Sequence, residues 1–117
     1  MLTRHDTDKR MSQLVEVAAG TTLLHFAGQI SSDRTLGLDG QTRNILDRLD
    51  AMLLKAGSDR TRIVTAMIWL SDIRNRHAFN RIWEAWLPEG HAPARACVEA
   101  RLAEPSDLVE IQIVAER

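Results

Sequence analysis

Arg95, Cys97 and Glu110 are the residues of this 117-residue chain whose types and spacing offer chemistry. Arg95 follows the Pro93 loop at the start of a strand-like run, where a rigidly held guanidinium can present a bidentate fork to a carboxylate. The same residue can instead make an ordinary cross-strand ion pair with Glu110 or Glu99. Glu110, in the closing strand-like run, can accept a proton from water and aim it at an electrophilic carbon; its other use is a structural salt bridge. Cys97 becomes a nucleophile only if a base or positive charge lowers its pKa. No such base is identified in the sequence, and a lone cysteine in a strand otherwise serves as a small buried hydrophobe. His91 lies in the loop Glu89-Gly90-His91-Ala92-Pro93, close in sequence to Arg95, either as a solvated loop residue or as part of a site. The four histidines, His5, His25, His77 and His91, show no metal-ligand spacing, so no metal site is expected. A Walker loop, a dinucleotide fingerprint and a nucleophile elbow are all missing.

The elements that must position these residues follow from periodicity. Leu14 to Ala18 and Thr22 to Ala27 read as two short strands, joined as a hairpin through Ala19-Gly20-Thr21. After a polar, turn-rich stretch from Ser31 to Gly40, Ile45, Leu46, Leu49, Met52, Leu53 and Ala56 recur at helical spacing, with Gly57 as the stop. Ile63 to Leu70 is apolar without clean alternation, as in a strand covered on both faces. Asp72 or Asn75 caps a second helix that carries Phe79, Ile82, Trp83, Trp86 and Leu87 on one face and ends near Pro88 and Gly90. Trp83 and Trp86 are expected in the core.

From Ala94, the apolar set Ala96, Val98, Ala100 and Leu102 alternates with Arg95, Cys97, Glu99 and Arg101; Val109, Ile111 and Ile113 alternate in the same way with Glu110 and Gln112. If both apolar sets cover the helices, Arg95, Cys97, Glu110 and Gln112 share the opposite face. The expected architecture is a single α+β domain over residues 1–117, with two helices packed on one face of one sheet. Its other face is expected to be hidden by a partner subunit, because Ile63 to Leu70 places apolar side chains on both sides.

Composition narrows the function. Formal net charge is −1 and no basic block is interleaved with aromatics, which argues against a nucleic-acid binder. One cysteine and no apolar leader at the N-terminus predict a cytoplasmic location, and no run is long enough to span a bilayer.

The segments Ala27-Gly28-Gln29-Ile30, Phe79-Asn80-Arg81-Ile82-Trp83-Glu84-Ala85-Trp86, Ala92-Pro93-Ala94-Arg95-Ala96-Cys97-Val98 and Val109-Glu110-Ile111 occur in the order and spacing of the RidA/YjgF family. The chain resembles that family over nearly its whole length, most specifically in the Pro-x-Arg-x-Cys-Val strand and the late Val-Glu-Ile strand. It is similar to a branch distinct from the archetypal deaminases: it has no tyrosine, and Ala27 stands where those members have a serine before Gly-Gln. The resemblance implies a chorismate-mutase-like fold and a homotrimer packed through its sheets, with clefts between subunits. It also implies that Arg95 binds a substrate carboxylate, that backbone around Gly28 and Cys97 lines the cleft, and that Glu110 positions the hydrolytic water. The implied reaction is cofactor-free hydrolysis of 2-imino or 2-enamino acids to 2-oxo acids and ammonia. The competing expectation is a non-catalytic binder of small carboxylates; ribonuclease action on translation is a remote third.

Overall fold

The structure, a computed structural model, describes residues 2–117. Six strands form one mixed sheet: β1 (Leu2–Thr7), β2 (Ser12–Val17), β3 (Leu23–His25), β4 (Ile63–Leu70), β5 (Ala94–Glu99) and β6 (Val109–Glu116), in the order β1-β2-β5-β4-β6-β3. Two helices, α1 (Leu38–Lys55) and α2 (Arg76–Trp86), pack on one face. This is the expected architecture.

The core is built where the periodicities meet. Helix α1 turns Ile45, Leu46, Leu49 and Leu53 inward, and α2 contributes Phe79, Ile82, Trp83 and Trp86. Beneath them lie Ala66, Ile68 and Leu70 of β4 and Val109, Ile111 and Ile113 of β6. Helix α1 ends at Ala56, and Gly57 follows at φ +75°, the left-handed conformation that glycine adopts without strain. Asp72 caps a short 3-10 turn, Ile73–Asn75, by accepting from the Arg74 amide, and α2 continues from it; Asn75 makes no side-chain capping bond. One polar side chain belongs to the core frame. Gln41, fully buried on α1, donates to the carbonyls of Leu36 and Ser106 and accepts from the Leu108 amide, which ties the helix to the loop before β6.

Three expectations are corrected. The hairpin is β1 with β2, not β2 with β3: β3 lies at the far edge, antiparallel to β6, so residues 18–22 carry the chain from β2, next to one edge, to β3 at the other. The short apolar runs on either side of Gly20 suggested a turn joining neighbours. Strand β1, whose sequence LTRHDT has no apolar alternation, gave no signal of its own. Strand β5 ends at Glu99, so Ala100 and Leu102 belong to the following loop. Finally, Ala66 pairs with Arg95 and Ile113, and Ile68 with Cys97 and Ile111. Residues directly opposite on neighbouring strands project on the same side. Arg95, Cys97 and Glu99 therefore face the helices, while Ala94, Ala96 and Val98 share the open face with Thr65, Met67, Trp69, Glu110, Gln112 and Val114.

The β1–β2 hairpin is fixed at its base by Arg4. Its guanidinium donates to the carbonyls of Ala92 (3.0 Å), Thr61 (2.9 Å) and Ile63 (2.9 Å), so one side chain satisfies acceptors at the entrances to both β4 and β5. His5, on the same strand, pairs with Glu16 in an exposed position. The two should behave differently on truncation. Arg4→Ala leaves partly buried carbonyls without donors and is expected to lower stability by about 2–3 kcal/mol. His5→Ala should change it by less than about 1 kcal/mol. Urea unfolding of both variants at one protein concentration checks this, and equal losses would contradict the role given to Arg4.

Candidate functional site

The row Arg95, Cys97, Glu99 runs along β5 under α2 and the turn before it, and each member meets a successive part of that segment. The Arg95 guanidinium carbon lies 5.8 Å from the centre of the Phe79 ring and 5.9 Å from that of Trp83, within range of cation–π attraction to both. Cys97 packs half-buried against the core, and the Glu99 carboxylate accepts from the Ile73 amide at 3.0 Å. The β1–β2 turn closes over Arg95. Trp83 Nε1 donates to the Arg10 carbonyl (2.9 Å), and Glu84 holds Arg10 (2.9 Å) and Lys9 (3.7 Å).

Within this enclosure Arg95 is poorly satisfied. Its Nη1 is buried and donates to no acceptor, and the guanidinium makes no ion pair among the described residues. Burial pushes its pKa below the ordinary arginine value, with Arg10 acting in the same direction and Cys97, Glu84 and Asp8 opposing it. Arginine nonetheless stays charged in proteins. A buried, charged donor without a partner is costly, and a bidentate anion is the group that best matches its planar fork. The ion pairs with Glu110 or Glu99 weighed from the sequence are not formed: Glu99 is engaged by the Ile73 amide and Glu110 projects from the other face.

A second feature lies at the edge of β5. Strand β2 pairs with β5 only at Ser12 and Ala94, where the Ser12 amide donates to the Pro93 carbonyl (2.9 Å). Backbone groups alternate sides along a strand, so Arg95 and Cys97 turn theirs toward β2. Pairing ends before Cys97, which leaves its amide and carbonyl facing the gap between the two strands.

Glu110 and Gly28 meet on the open face. A Cβ at position 28 would overlap Glu110 Oε2, so only glycine lets the backbone approach this carboxylate. The loop is held there by the reciprocal bonds Gln29 N to Ile111 O (2.8 Å) and Ile111 N to Gln29 O (3.0 Å), and by Gln112 Nε2 to the Phe26 carbonyl (3.2 Å). Trp69 is the strand neighbour of Glu110 on that face.

The structure thus divides the residues singled out in the sequence. Glu110 joins Gly28 on the open face; Arg95 joins Cys97 beneath the helices. His91 joins neither pair. It lines a separate cavity of about 750 Å³ with Arg4, Thr61, Arg62 and Glu116. Trp83 and Trp86 lie in the core as expected. Asn80 was overlooked: it is 3 % exposed, and its Oδ1 has no partner. The available signal was a polar residue within the apolar face Phe79, Ile82, Trp83. Among the described residues, no group of three or more histidine, cysteine, aspartate or glutamate side chains gathers to hold a metal ion, and no helix is long and apolar enough to cross a membrane.

Two outcomes follow from this geometry. Gly28→Ala is expected to fold with a stability change of about 1 kcal/mol or less, because only the flexible end of Glu110 must move; the carboxylate is displaced, and any function that depends on it should drop. Loss of the folded state would mean that the contact is rigid. Burial raises the Cys97 thiol above its ordinary value, against the opposing pull of Arg95 and Arg76. Cys97 should therefore stay protonated at neutral pH and react with iodoacetamide more slowly than a free thiol, with a rate that climbs only at higher pH. A thiolate at pH 7 would refute this.

Comparison with known proteins agrees with the arrangement. The family model described as Endoribonuclease L-PSP matches residues 4–117. A RutC family protein from Haemophilus ducreyi is 38% identical, over 98% of this chain and 96% of its own length. The RutC family protein YoaB of Escherichia coli is 37% identical, over 97% and 96% respectively. A crystal structure of a YjgF family member from Neisseria meningitidis superposes with a TM-score of 0.78 at 35% identity, covering 100% of this chain and 95% of that one.

Proposed function

The chain belongs to the endoribonuclease L-PSP family, the RidA/YjgF and RutC group of proteins, and from that premise we propose that it is a hydrolytic deaminase of small 2-imino and 2-enamino acids. It works as a homotrimer, with one site in each cleft between subunits. The observation that carries the reading is the buried Arg95 guanidinium, whose Nη1 has no protein acceptor.

In this mechanism the Arg95 fork takes the substrate carboxylate, helped by the Cys97 backbone amide at the open edge of β5. The imine tautomer is already electrophilic at carbon, so the protein has mainly to orient it and deliver water. Glu110, seated against Gly28, accepts a proton from water as the oxygen attacks that carbon. Returning that proton to nitrogen gives the carbinolamine; moving its hydroxyl proton to the amine, again through Glu110, breaks the C–N bond as the carbonyl forms, releasing ammonia and leaving the 2-oxo acid. No cofactor enters this route.

Arg95 and Glu110 project from opposite faces of one sheet. A complete site therefore takes Arg95 from one subunit and Glu110 from its neighbour. The open face, with Met67, Trp69, Ala96 and Val98, supplies the apolar surface for such packing, and Val98 is 39 % exposed in the isolated chain. A second reading, a non-catalytic binder of small carboxylates, is favoured by the lack of any tyrosine to close the cleft. It needs Arg95 but not Glu110. Ribonuclease action, which the family description names, would call for a basic groove with aromatic platforms, and a net charge of −1 weighs against it.

The test uses imino acids generated in situ by an amino-acid oxidase, with 2-oxo acid binding followed by calorimetry. Arg95→Lys keeps the charge but loses the planar fork and should weaken binding about 10-fold or more. Glu110→Gln should bind normally and turn over at least about 100-fold more slowly. When inactive Arg95→Ala and Glu110→Ala subunits are mixed and reassembled, on the order of a quarter of the clefts should regain both groups, so activity returns. No recovery from proven mixed trimers would overturn the shared site; parent-like Arg95→Lys would overturn the anchor; binding without any turnover in the parent would select the non-catalytic reading.

A further inference from the structure

We propose that Arg76 is a second anion contact at the Arg95 site and that the preferred ligands are dicarboxylic: 2-imino or 2-oxo acids with a further carboxylate at the end of a short side chain. This rests on the reading of Arg95 as the carboxylate anchor and adds a substrate class to it.

Helix α2 lies lengthwise over β5. Arg95 sits under Phe79 and Trp83, and Glu99 reaches the Ile73 amide. Cys97, midway between them on the strand, is consequently overlain by the start of α2, where Arg76 stands. The influence of Arg76 on the Cys97 thiol agrees with that placement. Arg76 precedes Phe79 and Asn80 by three and four positions on the helix, which is the spacing of a shared face. Alternate residues of a strand are separated by roughly 7 Å, so Arg76 overlies a point about that far along β5 from Arg95, a separation that a short diacid can span.

The nearby charges leave Arg76 available. Glu84 is taken by Arg10 and Lys9, and Asp72 by Arg74. The Glu99 carboxylate accepts from the Ile73 amide, and Asp8 accepts from the Arg10 and Met11 amides. Arg76 is exposed and makes no ion pair among the described residues. The site thus has a buried fork that fixes the first carboxylate and a solvent-facing guanidinium that can meet a second one. An exposed arginine keeps its freedom and binds less tightly than a buried one, so Arg76 sets preference rather than anchorage.

The experiment compares 2-oxoglutarate with 2-oxopentanoate, which has the same chain without the second carboxylate, by calorimetry on the intact assembly. The parent should favour 2-oxoglutarate by about 5- to 10-fold, and the preference should shrink as salt is raised. Arg76→Gln should abolish the preference and leave 2-oxopentanoate binding unchanged; Arg76→Lys should keep most of it. Because Arg76 is exposed, neither change should disturb folding. Equal parent affinity for the two acids, or a preference that persists in Arg76→Gln, overturns the role of Arg76 and leaves the Arg95 anchor standing. If neither acid binds, the anchor itself is wrong and the proposal falls with it.

Discussion

The pleat of β4 is the constraint on which the other assignments depend. Ala66, Ile68 and Leu70 are buried beneath the helices, so Thr65, Met67 and Trp69 must point the other way. Because β5 and β6 pair on either side of β4, this one alternation dictates the direction of every side chain on both neighbours. It turns Arg95 and Cys97 toward α2 and Glu110 and Gln112 away from it. A slip of one residue would exchange the two sets and bury Glu110 in the core, and packing at Ile68, which is fully buried, opposes it strongly.

That constraint turns a half-buried guanidinium toward the aromatic face of α2. Arg95 is compensated partly by the aromatic faces of Phe79 and Trp83 and partly by the opposed charges of Glu84 and Asp8, yet Nη1 remains without an acceptor. Asn80, on the same helix and almost wholly buried, repeats the pattern with an unpaired Oδ1. Two unsatisfied polar atoms, one on α2 and one on the strand that α2 covers, are hard to reconcile with packing alone. They fit a region shaped for a polar ligand, since each such atom costs stability until something bonds to it.

The sequence revealed both helices, β4 and β6 because their apolar periodicities are long and coincide with burial. The second helix carried the clearest pattern, and its aromatic face lies in the core. The error in β5 is instructive. Alternation correctly separated Arg95, Cys97 and Glu99 from Ala96 and Val98, but it does not say which set faces the helices. The premise that helices are the only cover available puts the apolar residues on the helix side. In the structure, the small apolar side chains of β5 belong to the open face, and the polar row lies under α2. The misplaced hairpin has a different origin: β1 is held by register with β2 and by the reach of Arg4, neither of which leaves a local trace in six residues of mixed polarity. His91 is near Arg95 in sequence, and in the single chain it lines a cavity with Arg4, Thr61, Arg62 and Glu116.

The inverted face of β5 has a bearing on assembly. Had Ala96 and Val98 packed under the helices, Arg95 and Glu110 would have shared one exposed surface, and a single subunit would have held the whole site. In the actual arrangement the apolar residues of β5 join Met67 and Trp69 around Glu110, so the carboxylate stands within the surface that most needs cover. Covering that surface with a second copy would withdraw Glu110 from bulk water and carry the carboxylate toward the neighbouring subunit. Burial of the open face and completion of the proposed site would then be the same event, with the pleat of β4 as their common cause.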